Sequence, residues 1–135
     1  MSKSAIYVTN TASQNITTNG IINLGSVIRR FGPNLHLSGN AIQIDGSGYY
    51  KITASITAAP TAAGNVTVAI LKDNVAIPGA TGTESVTTAN NSANIAITAI
   101  VREGCQCCDG ASNLTFVLTG TTSAVSNVAV TVEKL

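Results

Sequence analysis

Cys105-Gln106-Cys107-Cys108-Asp109 gathers all three cysteines of this 135-residue chain into four positions, and a thiolate is the most reactive group the sequence offers. Three readings suit the cluster. Thiolates bind zinc, but a structural site takes four ligands at knuckle spacings, and this run is too tight for one chain to wrap a tetrahedron. Three such loops meeting near the axis of a trimer would have to supply the site together. Interchain disulfides are the second reading, because an odd count leaves a thiol over. The third is inert packing, with Cys105, Cys107 and Cys108 reduced and acting as small apolar groups. No lysine or histidine stands near them in sequence to activate a thiolate.

The other candidates carry less. His36 is the sole histidine and lies between Leu35 and Leu37, on the alternate face of a short strand. A triad or a histidine metal site needs partners to which the sequence does not point, so a hydrogen-bonded or exposed strand histidine is expected. The acids Asp45, Asp73, Glu84, Glu103, Asp109 and Glu133 are scattered over turns and strand ends. Acid–base work needs two of them in one cleft. Asp45 and Asp73 read as turn acids. A calcium site would draw on Asp73, Asn74 and Asp109, but needs more converging oxygens than these. Arg29-Arg30 and Arg102-Glu103 are the charge doublets. On a surface they form ion pairs worth under about 1 kcal/mol. In an oligomer they set register between subunits, the role expected for Arg29. With no constellation of acid, base and nucleophile, we expect no enzyme, no catalytic residues, no cofactor and no metal.

Composition narrows the class further. Charged residues are 10% of the chain, the net charge is +1, and Thr, Ser and Asn make up about a third. No basic stripe exists, which argues against nucleic acid as a partner. So few charges give little colloidal repulsion, and association is expected. The first ten residues hold one lysine but no apolar signal region, and no run is long enough to span a bilayer. The expectation is a chain without signal peptide or membrane contact.

The elements that position these residues are strands. In 48–58, Tyr50, Ile52, Ala54, Ile56 and Ala58 point one way and Tyr49, Lys51, Thr53, Ser55 and Thr57 the other. Period two means a sheet with one dry face. Ile95, Ile97, Ala99 and Val101 repeat the pattern, as do Leu114, Phe116 and Leu118, and Val128, Val130 and Val132. Turn residues recur every 8–15 positions or so, as in an all-β sandwich or barrel. The expected strands are 4–9, 21–24, 26–30, 35–38, 41–45, 48–58, 64–72, 80–88, 93–101, 113–119 and 125–134. Turns are expected at Asn19-Gly20, Gly32-Pro33-Asn34, Ser38-Gly39-Asn40, Asp45-Gly46-Ser47-Gly48, Lys72-Asp73-Asn74, Pro78-Gly79 and Asp109-Gly110. Pro60 and Gly64 break the alanine-rich 58–63, and no helix is expected. A single domain, residues 1–135, suits the length.

Gly48-Tyr49-Tyr50-x-Ile52-x-Ala54-x-Ile56-Thr57, then Val66-x-Val68-x-Ile70-Leu71 and Val75-x-Ile77-Pro78-Gly79-Ala80, resembles the trimeric jelly rolls related to C1q and tumour necrosis factor. The likeness is greatest to their bacterial and phage branch, which includes the tips of collagen-like spore-surface proteins. It runs from about residue 35 onward and includes the closing strand Asn127–Leu135. Ala5-Ile6-Tyr7 and Arg29-Arg30-Phe31-Gly32 resemble short prophage-encoded proteins. Absence of a collagen stalk and a signal favours the phage side.

The resemblance implies an all-β jelly-roll β-sandwich of about ten antiparallel strands, C1q/TNF-like and homotrimeric. It implies a non-enzymatic virion structural protein, a capsid decoration or head-fibre component made in the host cytoplasm, with other virion proteins, chiefly capsid, as partners. The alternatives are a receptor- or glycan-binding tip module and a bacterial spore or cell-surface protein. If 48–58, 93–101 and 125–134 share a sheet, the face away from the core carries Tyr49, Lys51, Thr53, Thr98, Ile100, Thr131 and Glu133 among small neighbours. Small side chains let sheets approach around a threefold axis, so these residues are the expected trimer interface. For the cysteines the covalent reading takes the form of thiols reduced during assembly that cross-link the trimer once the virion is released, beside the readings of inert packing and a shared metal.

Overall fold

The computed structural model describes residues 3–103 and 112–135. Among them run twelve strands: β1 Ala5–Asn10, β2 Gln14–Ile16, β3 Gly20–Ile21, β4 Ser26–Phe31, β5 Leu35–Ser38, β6 Ala41–Ile44, β7 Gly48–Pro60, β8 Gly64–Lys72, β9 Val75–Val86, β10 Ala93–Glu103, β11 Ser112–Gly120 and β12 Ser123–Lys134. They pair antiparallel into two six-stranded sheets. The first has the order β10-β7-β12-β1-β4, with β2 added to β12, and the second has the order β5-β6-β11-β8-β9, with β3 added to β11.

The alternation read in 48–58 becomes the centre of the first sheet. Tyr50, Ile52, Ala54, Ile56 and Ala58 are buried. Their neighbours in register are Val101 to Ala93 on β10 and Lys134 to Val125 on β12. Opposite them the second sheet contributes Val66, Val68, Ile70, Leu114, Phe116 and Leu118, and all of these join one cluster. Ile52, Ile56, Val68, Ile97, Phe116 and Val130 belong to it together. β-branched side chains fill such a pleated layer well. Burying one of them contributes about 1.5–3 kcal/mol.

Each side of the sandwich is closed by strands from different sheets. On one side β9 packs on β10. Gly82 leaves no room for a Cβ there, because Ile95 Cγ2 occupies the space and Ile97 Cγ1 stands 3.3 Å away. On the other side Arg30 of β4 donates through Nε to the Leu35 carbonyl of β5 at 2.5 Å. Gly25, with φ of 81°, turns the chain into β4 where a side chain would overlap the Thr9 carbonyl.

Four expectations about elements need correction. Pro78-Gly79 is no turn, because β9 begins at Val75 and runs through both. The strand slips against β8 between Ala69 and Leu71. At a sheet edge a proline deprives no neighbour of a donor. The strand foreseen at 21–24 covers only Gly20–Ile21, although Ile22 and Leu24 are fully buried. Gln14–Ile16 is a strand where none was foreseen. Pro60 ends β7 rather than interrupting the chain after Ala58. The turn at Lys72-Asp73-Asn74 is present, with φ of 51° and 68° at Asp73 and Asn74, as a two-residue hairpin requires.

Candidate interaction face

The outer face of the first sheet can be read row by row from its register. Arg102 and Tyr49 share the row nearest one end, and Leu135 donates its N–H to the Tyr49 carbonyl at 2.9 Å. The next row is Ile100, Lys51, Glu133, Ala5 and Phe31. Then come Thr98, Thr53, Thr131, Tyr7 and Arg29, and after them Ala96, Ser55, Ala129 and Thr9. At the far end Asn94 donates through Nδ2 to Thr57 Oγ1 at 3.1 Å and to Ser55 Oγ at 3.3 Å. All seven residues foreseen for a trimer interface therefore share this face, Tyr49 in the first row and three in each of the next two. Its middle is a threonine ladder. Towards one end it exposes large apolar side chains, with Phe31 61%, Ile100 58% and Tyr49 54% accessible. Ala5, Ile6, Tyr7, Arg29, Phe31 and Thr131 frame an apolar notch of about 70 Å³. Tyr49 and Ile100 stand on the neighbouring strands β7 and β10, and Phe31 on β4 at the opposite edge of the sheet.

The chemistry-bearing side chains stand elsewhere. His36 sits in β5. Its Nδ1 lies 2.9 Å from Arg30 Nη2 and its Nε2 lies 2.8 Å from Asp45 Oδ2 and 3.1 Å from the Pro33 carbonyl. Arginine only donates, so Nδ1 accepts and the ring proton is on Nε2. This chain of contacts ties β4, β5 and the turn after β6. It makes Asp45 a partner as well as a turn acid.

Glu103 was not foreseen as a buried group. Its residue is 7% accessible, its Oε1 lies 3.1 Å from Lys72 Nζ, and Ser112 Oγ donates to the same oxygen at 2.8 Å. Lys72 also donates to the Arg102 carbonyl at 3.0 Å. The pair thus ties β10 of one sheet to β8 and β11 of the other. The doublet Arg102-Glu103 was expected to take part in surface ion pairing, whereas Glu103 is buried and its partner is Lys72, distant in sequence and near in the fold. Tyr50 places its hydroxyl beside this charge and donates to the Gly46 carbonyl at 2.7 Å. Burial chiefly, then the negative charge of Glu103 and Asp45, raises its pKa above 10.0.

No group of three or more His, Cys, Asp or Glu side chains converges among the described residues. Cys105, Cys107, Cys108 and Asp109 lie outside those residues. Two larger hollows remain. Lys72, Val75, Ile77, Pro78, Ile100 and Arg102 line a groove of about 480 Å³ at one end of the β9–β10 side. Glu84, Ser85, Thr87, Asn91, Ser92 and Asn94 line a polar cleft of about 440 Å³ at the other end.

The whole arrangement is that of known jelly rolls. Murine APRIL superposes with a TM-score of 0.75 at 9% identity over 98% of this chain and 99% of that one. The globular domain of zebrafish complement 1qA gives 0.70 at 9% identity, over 98% and 96%. The PRD1 vertex protein P5 gives 0.61 at 17% identity, again over 98% and 96%. The chain has the C1q/TNF-like jelly-roll fold, which a phage protein shares with TNF-family and complement proteins. No protein-family model and no curated protein matches the sequence.

Proposed function

We propose that the chain is a single-domain, non-enzymatic structural protein of a phage virion, assembled as a homotrimer and attached to the capsid as a decoration or head-fibre component. The outer face of the first sheet carries this reading. Thr53, Thr98 and Thr131 make its centre narrow, while Tyr49, Ile100, Tyr7 and Phe31 leave apolar area uncovered in the single chain. A face so built is covered by a second copy, and heterologous contacts around a threefold axis close into a ring. Lys51, Ile100 and Glu133 share one row on it, so a contact there has both an apolar and a charged part. Likeness in fold to the PRD1 vertex protein supports the virion setting. Imaging and mass spectrometry of purified particles test the reading. The protein should be found in stoichiometric amount at symmetric positions on the head, and particles lacking it would sink the proposal.

The polar cleft favours a second reading, a glycan-binding tip module. Its hydroxyls, amides and single carboxylate, Glu84, offer the donors and acceptors a sugar uses. Glycan-array binding abolished by Asn91→Ala would support it.

A further inference from the structure

Charge is divided unevenly along the sandwich. All seven Lys and Arg residues belong to the half where β7 begins and β10 and β12 end. Arg102 stands opposite Tyr49, Lys51 opposite Ile100, and Lys134 opposite Tyr50. Arg29 and Arg30 pair with Tyr7 and Ile6, Lys72 reaches Glu103, and Lys3 precedes β1. Among the described residues the carboxylates Asp45, Asp73, Glu103 and Glu133 share this half, while Glu84, opposite Val66, stands in the other; Asp109 lies outside those residues. Of these four only Glu103 is matched in charge, by Lys72 at 3.1 Å, which leaves six of the seven cations against Asp45, Asp73 and Glu133. Cations therefore predominate. The same half exposes Val75 at 68% and Leu135 at 63%, beyond the apolar residues of the sheet face. The opposite end is built from residues 11–19, which include β2, and the loops 61–63, 87–92 and 121–122; apart from the buried Ile16 these hold Thr, Ser, Asn, Ala and Gln and no charge.

We propose that the charged end is a docking pole for an acidic surface of another protein, and that the threonine- and asparagine-rich end points away from that contact. A protein suits this pole better than a polyphosphate. Arginine mixed with exposed apolar residues is the composition of a protein interface. The groove beside Val75, Ile77 and Pro78 is rimmed by Arg102, by Asp73 and by Lys72, which Glu103 already holds, so it has the volume and walls for an aliphatic side chain with its carboxylate directed to Arg102. The inference deepens the virion reading by saying which end attaches. It rests on that reading only for the setting, since the charge division is a property of one chain. A threefold axis along the strands would repeat Lys3, Arg102 and Lys134 around one end.

Titration of the isotope-labelled chain with a soluble leucine–glutamate peptide, followed by NMR, tests the pole. Amide shifts should gather at Lys3, Val75, Arg102, Lys134 and Leu135 and spare Thr61, Asn91 and Thr121. Affinity should fall on the order of tenfold between low and physiological salt, and by a similar factor in Arg102→Glu with Lys134→Glu. Thr61→Glu with Asn91→Glu should change nothing. Shifts at the uncharged end, no binding, or tighter binding to a single-stranded oligonucleotide or to anionic lipid vesicles would overturn the proposal. Light scattering on the same samples separates the two readings. Pole binding by a monomer removes the trimer and keeps the pole, whereas a trimer that does not bind removes the pole alone.

Discussion

Gly82→Ala probes how the two sheets are closed. A glycine in a strand interior is ordinarily a weakness, and alanine there gains about 0.5–1 kcal/mol by lowering backbone entropy in the unfolded chain. At Gly82 the added Cβ would overlap Ile95 Cγ2, which is held by a β-branched side chain and is 3% accessible at the residue level. Overpacking of this kind costs about 1–3 kcal/mol. The loss should win, leaving the variant about 0.5–2 kcal/mol less stable. Ile95→Ala alone should cost about 2–5 kcal/mol through transfer and cavity terms. The double variant should not sum the two, because the alanine Cβ enters space that Cγ2 has left. A coupling of about 1 kcal/mol or more is expected, against about 0.3–0.5 kcal/mol of scatter for independent sites. The assay is urea unfolding of all four proteins at one fixed chain concentration, since assembly makes stability concentration-dependent. Additive losses, or a Gly82→Ala protein more stable than its parent, would refute the packing of β9 on β10.

Three further outcomes follow from the same structure. Ile97→Ala, 4% accessible at the centre of β10, should cost about 2–5 kcal/mol by thermal unfolding; an unchanged midpoint would place the strand one residue out of register. Glu103→Ala removes the oxygen shared by Lys72 and Ser112 and should cost about 1.5–3 kcal/mol in chemical denaturation, with Glu103→Gln recovering part of it through the Ser112 bond. Tyr50 has a folded pKa raised above its unfolded value of 10.0, so the neutral hydroxyl's contribution is complete below pH 10.0 and is lost as pH rises through the folded value; Tyr50→Phe should flatten that alkaline loss, and identical profiles would contradict it.

Period two carried most of the fold. In β7, β10 and β12 a residue's parity alone assigns it to the core or to the outer face, so the sequence pattern already puts Thr53, Thr98 and Thr131 on one face. The same logic fails where strands are short. Gln14–Ile16 holds no alternation, and its site is fixed by Gln14 hydrogen-bonding to Asn23 at 2.9 Å. Pro78-Gly79 misled because turn propensity is local, while tolerance of proline depends on which strands lie at an edge. Glu103 was read as a member of a surface doublet because nothing in its neighbours names Lys72. The pole of charge was equally invisible, since Lys3, Lys72 and Lys134 meet only once the strands have folded back on one another.

The mass of the assembled protein in solution tests the account most directly. Light scattering of the purified chain should give three times its 13.6 kDa. Thr53→Arg, at the centre of the exposed ladder, should reduce that to the single chain while leaving a cooperative fold. A stable monomer at micromolar concentration, or a trimer indifferent to Thr53→Arg, would contradict the proposal that this face is the one that joins the copies.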